Sequence, residues 1–170
     1  MAGLQAMTER VHRRYAGSDE RPLGGYLAVL GAYAATAAGL AALGRVLGVR
    51  LPQRWGLGDT ALLSAATFKA SRLLSKDAVA SPLRAPFTRY EGPAGEGELN
   101  ESVRGDGAQH AAGELLSCPF CLSVWIATGL GAGMVFAPKT TRLVATVLTA
   151  VAGSDALHLL YDHGKKFAER

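Results

Sequence analysis

Two runs without a single charged side chain, residues 22–44 and 115–138, constrain this chain more than any other feature of it. Each holds the roughly 20 apolar or neutral residues that an α-helix needs to cross about 30 Å of hydrocarbon. The competing reading is a pair of buried helices in a water-soluble protein. Two such runs are hard to bury together in a chain of 170 residues, because a small fold has too little interior. Only 19% of the residues are charged and the mean hydropathy is positive, so the expectation is an integral membrane protein.

The first span is expected over 24–48, behind a basic segment, 1–23, that carries Arg10, Arg13, Arg14 and Arg21 and reads as an uncleaved anchor. Gly31, Ala35 and Gly39 lie four apart on one face, a spacing at which small side chains let another helix come close. Leu51 and Pro52 end the segment, and Trp55 suits an interfacial anchor. Asp59 suits the N-cap of a second helix, about 59–75, with an apolar first half and with Lys69, Arg72 and Lys76 toward its end. That helix either spans, with its basic residues snorkelling to the headgroups, or lies in the interface as an amphipathic helix. The gathering of cations at one end favours the span.

From 77 to 114 the character changes to Pro82, Pro86, Pro93 and the run Glu-Gly-Pro-Ala-Gly-Glu-Gly-Glu over 91–98. Asp77 can cap a brief helix, and the rest is expected to be a polar loop unable to bury enough apolar surface to fold alone. A third helix is expected at about 119–137 and a fourth at about 141–161, joined by a tight hairpin that makes them antiparallel, with a basic tail over 162–170. The fold class is therefore all-α, an integral membrane protein with four, alternatively three, transmembrane helices and a polar cytoplasmic loop between helices two and three. Lys and Arg favour both termini and the long loop over the two hairpins, which places the N-terminus in the cytoplasm. Those cations sit at span ends and do not interleave with aromatics, so nucleic acid is not an expected partner.

Cys118 and Cys121 are the only cysteines. Pro119 suits the first turn of a helix, so Cys118 falls at or near the N-cap, where the helix dipole favours thiolate and the spacing allows a disulfide or two metal bonds. Zinc would need further ligands, and His110, Glu114 and His163 are on offer. The turn resembles that of a glutaredoxin, but the strand-helix-strand context of a thioredoxin-like fold is missing. Asp155 is the second candidate, an acid within an apolar run that shares a helix face with His158 and Asp162. Such an acid needs a partner or a watery path. Pairing with Lys69 or Arg72 of helix two answers the first need, and a proton or ion path the second. Asp59 reads as a cap, and Glu114 as a partner for Arg72 or Lys76.

The blocks Ala-Thr-Phe-Lys-Ala-Ser-Arg-Leu (66–73), Ser-Pro-Leu-Arg-Ala-Pro-Phe-Thr-Arg-Tyr (81–90) and Gly-Glu-Leu-Leu-Ser-Cys-Pro-Phe-Cys-Leu (113–122), with the Gly-Ser-Asp step at 153–155, resemble the bacterial family known as domain of unknown function 1360. The resemblance covers about 57–161 and leaves the first helix as an extension. It implies a small multi-pass protein of the bacterial plasma membrane, of a kind common in actinobacteria and spore-forming bacilli. It brings no catalytic or cofactor-binding residue. The expected function is accordingly a non-enzymatic scaffold or partner subunit, embedded in the lipid bilayer, with the loop and the cysteine turn as its protein-binding surface. A membrane thiol or metal protein using Cys118 and Cys121 is the first alternative, and a small transporter or channel subunit centred on Asp155 the second.

Overall fold

The computed structural model describes residues 21–52 and 55–169, together with Arg10, Arg14 and Tyr15. Most of the expected basic segment, and with it Arg13, lies outside the described residues, as do Arg54 and Arg170. The elements are α1 (Leu23–Val46), α2 (Leu57–Lys76), a 3-10 turn (Ala78–Ala80), α3 (Ser81–Arg84), β1 (Thr88–Gly95), β2 (Glu98–Val103), α4 (Gly107–Ser117), α5 (Pro119–Phe136) and α6 (Pro138–Ala168).

The ends of the long helices follow from local chemistry. Gly48 sits at φ +64° just beyond α1, and the Val49 N–H donates to the Gly44 carbonyl, a left-handed stop that glycine adopts at no steric penalty. Pro119 opens α5 and Pro138 opens α6, each at a position whose N–H no helix needs. Proline also disfavours helical backbone in the residue before it, so Ala137 leaves the helix at φ −143° and the chain turns back within one residue. Gly133 of α5 then lies against Thr141 of α6.

Helices α1, α5 and α6 are long and apolar enough to cross a membrane. Helix α2 does not join them on that criterion, because Lys69, Arg72, Lys76 and its hydroxyl residues dilute its apolar content. Its packing is nevertheless intimate. Ala66 of α2 and Ala145 of α6 are fully buried, small side chains of the sort that let helices approach closely. Contacts from Asp59–Arg142, through the Thr149 hydroxyl donating to the Leu62 carbonyl, to Lys69–Asp155 show α2 and α6 running parallel. Helix α1 runs parallel to α5, with Tyr33 bonded to Thr128 at 2.9 Å and edge-on to Trp125, and Gly44 beside Phe136.

Three expectations change. The chain is not all-α: β1 and β2 form an antiparallel hairpin with Thr88 opposite Val103 and Tyr90 opposite Glu101, interrupted by two register shifts. The segment 77–114 is a folded cap and not a loop, because the hairpin and α4 borrow their burial from the helix ends beneath them. Asp77 does cap a turn, accepting from the Val79 N–H, but the turn is a 3-10 one. Among the described residues the small-residue face of α1 meets nothing: a side chain added at Gly31 or Gly39 would find open space. The close approach falls at Gly25, where a Cβ would strike the Gly107 carbonyl and touch Ala111 of α4.

Candidate functional site

The polar groups of the cap gather where α2 ends. Four backbone carbonyls at any helix C-terminus lack intrahelical partners, and in α2 the Leu74 carbonyl is one of them. Arg84 of α3 folds back to meet it: Nη1 donates to the Leu74 carbonyl at 2.9 Å and to the Asp77 carbonyl at 3.1 Å, and Nη2 donates to Asp77 as well. Its remaining edge faces Glu101 of β2, with Nε donating to Oε2 at 2.6 Å and Nη2 to Oε1 at 3.2 Å. Arg84 is 0% exposed and the Glu101 side chain 6%. The Thr88 hydroxyl donates to the Arg84 carbonyl and lies 3.3 Å from the same carboxylate. A cation at this end of α2 also meets the negative pole of the helix dipole.

One turn back along α2, Arg72 makes a two-pronged pair with Glu98 of β2, Nε to Oε1 at 3.0 Å and Nη2 to Oε2 at 2.7 Å. Lys69 donates to Asp155 Oδ2 of α6 at 2.7 Å. Of the polar group expected within the helices, Lys69 and Asp155 are therefore brought together, Arg72 is taken by the cap, and His158 lies exposed on α6 three residues beyond Asp155. Two further assignments are corrected. Glu114 pairs with Arg21 at 3.4 Å and lies 3.6 Å from His110, not with Arg72 or Lys76. Asp59 sits within the first turn of α2 and pairs with Arg142 at 2.8 Å; the N-cap position belongs to Gly56.

Cys118 is the N-cap of α5, its Sγ accepting the Cys121 N–H at 3.3 Å. Both cysteines are free, and Cys121 is exposed. Among the described residues no group of three or more His, Cys, Asp or Glu side chains comes together, so neither His110 nor His163 completes a set with the two thiols. Apart from the polar cluster, an open groove of about 340 Å³ between α2 and α5 is lined by Trp55, Thr60, Leu63, Ser64, Thr67, Ala127 and Gly131.

Residues 62–161, more than half of the chain, match the family described as protein of unknown function (DUF1360). The chain belongs to this family. Over 95 residues it is 35% identical to the Sporulation protein YjcA of Bacillus subtilis (strain 168), an alignment that takes in 54% of this chain and 80% of that protein. No solved structure matches it. The DUF1360 region takes in most of α2, the whole cap, α5 and the part of α6 that holds Asp155, and it leaves α1 outside. Every ion pair described above except Arg21–Glu114 and Asp59–Arg142 lies within it. Sequence reasoning passed over Glu98, Glu101 and the role of Arg84. The available signal was a lone arginine between two prolines, followed by a Gly-Glu-Gly-Glu turn flanked by Tyr90 and Leu99.

Proposed function

We propose that this chain is a non-enzymatic multi-pass membrane protein whose four helices hold the folded cap, residues 77–117, on the cytoplasmic side as a platform for a protein partner. The observation that carries this reading is the buried Arg84–Glu101 pair, which locks the hairpin to the end of α2 and gives the cap a fixed shape. A surface held in one geometry loses less entropy on binding than a loop does. The fourth span is supported by packing: α2 follows α6 from Asp59–Arg142 to Lys69–Asp155 and so lies at the depth of a helix able to cross. Its 20 residues extend about 30 Å at 1.5 Å per residue, the thickness of the hydrocarbon core. The cytoplasmic placement is supported by the excess of Lys and Arg on the cap side. The B. subtilis relative is named a sporulation protein, which makes sporulation the process in which to look for the partner.

Orientation and platform are tested together in a background with Cys118→Ser and Cys121→Ser. Glu96→Cys in the hairpin turn should react with a membrane-impermeant maleimide only after cells are opened, and Lys139→Cys in the first turn of α6 should react in intact cells. The reverse pattern sinks the orientation. A photo-crosslinker at the exposed Tyr90 should give a discrete adduct in the native host during sporulation, and no adduct at any stage of growth would count against the platform.

A further inference from the structure

The segment 78–86 is built inside out. Its outward residues are Ala78, Val79, Pro82, Leu83, Ala85 and Pro86, none of them charged or hydrogen-bonding in its side chain. Val79 is 87% exposed and Leu83 62%. Its one charged residue, Arg84, is completely buried. In water a segment of this size turns its arginine out and its leucine in, because burying an ion is expensive and exposing apolar area forgoes about 25 cal/mol per Å². The reversal is what a surface facing hydrocarbon requires.

We infer that this outward face seats in the boundary between lipid headgroups and acyl chains, resting the cap on the membrane surface. Depth supports it. The bond from Arg84 to the Leu74 carbonyl folds the segment back level with the last turn of α2, where a helix of 20 residues reaches the edge of the hydrocarbon. Phe68 is exposed on α2 nearly two turns before Leu74, on the side of the helix centre, and Phe120 stands exposed where α5 begins. Lys76 beside the apolar face can extend its ammonium group to the headgroups. Area argues against a protein occupant: a stable interface needs about 800 Å² and 20 to 30 residues on each side, and this face offers six, four of them Ala or Pro.

The inference rests on the membrane reading proposed above, and the test separates the two. The full chain with Trp55→Phe and Trp125→Phe, reconstituted in phosphatidylcholine and phosphatidylglycerol vesicles, receives one reporter at a time: Leu83→Trp, Val79→Trp as a second probe of the same face, Leu30→Trp on α1 and Tyr90→Trp on the hairpin. Lipids brominated near the headgroup end of the acyl chain should quench the fluorescence of Leu83→Trp and Val79→Trp at least twofold, and more than lipids brominated deeper. Tyr90→Trp should stay bright, and Leu30→Trp should be quenched. If Leu30→Trp is quenched while both cap reporters behave like Tyr90→Trp, the inference is overturned and the membrane reading stands. If Leu30→Trp is also unquenched, the membrane reading falls and takes the inference with it. Cap reporters shielded from bromine at high protein density and quenched by aqueous iodide on dilution would instead assign the face to a second copy, which also overturns the inference.

Discussion

Arg84 has five N–H donors and no water to receive them, and the fold supplies an acceptor for each: two carbonyls at the end of α2 and both oxygens of Glu101. A buried ion pair adds little net stability over an apolar pair of the same shape, whereas removing one member leaves a charge without a partner. The expected outcome for Arg84→Met is a loss of about 3–5 kcal/mol in the stability of the cap, seen as rapid proteolysis between residues 85 and 106 while the long helices stay protected. Adding Glu101→Leu to that variant should return much of the loss. If the double variant is as labile as the single one, the carbonyls of Leu74 and Asp77 and not the charge pair set the need for arginine.

The same logic acts between elements. Ten residues of α2 separate Asp59 from Lys69 and thirteen of α6 separate Arg142 from Asp155, about 15 and 20 Å of helix. On the membrane reading proposed above, both pairs lie closer together than the hydrocarbon is thick, and each holds α2 to α6 by neutralising a charge that would be costly alone at that depth. Lys69→Met should lower stability in detergent or bicelles, and Lys69→Met with Asp155→Leu should recover most of it. The coupling in the double-mutant cycle should be about 1–2 kcal/mol, the upper range for polar contacts between membrane helices. Additive losses would show that the two side chains act independently. Charge and hydropathy in the sequence single out Lys69, Arg72 and Asp155 as groups in need of partners. That Lys69 takes Asp155 while Arg72 takes Glu98 depends on where the hairpin lands, and no local pattern encodes it.

At the scale of the molecule, α2, α5 and α6 form the body and α1 is joined to it mainly through α4 and Tyr33. The joint turns on Gly25, since any Cβ there meets the Gly107 carbonyl. Gly25→Leu is expected to destabilise the assembly by about 1–3 kcal/mol, the usual penalty of overpacking, and to lower the thermal midpoint in detergent by several degrees. Gly31→Leu, which meets open space, should leave the midpoint unchanged. Equal shifts would mean that α1 is held some other way. The apolar runs and the prolines at 119 and 138 determined by themselves where three long helices lie and how two of them turn, because hydrocarbon and proline geometry act on a handful of neighbouring residues. The cap was decided only by the tertiary structure. Its strands are short, polar and shifted in register, with Glu, Gly and Pro in place of an alternating apolar face. They become a hairpin because the end of α2 offers unsatisfied carbonyls and Arg72: Arg84 reaches the carbonyls of Asp77 and Leu74 from 7 and 10 residues away, Glu98 reaches Arg72 from 26, and Glu101 reaches Arg84 from 17.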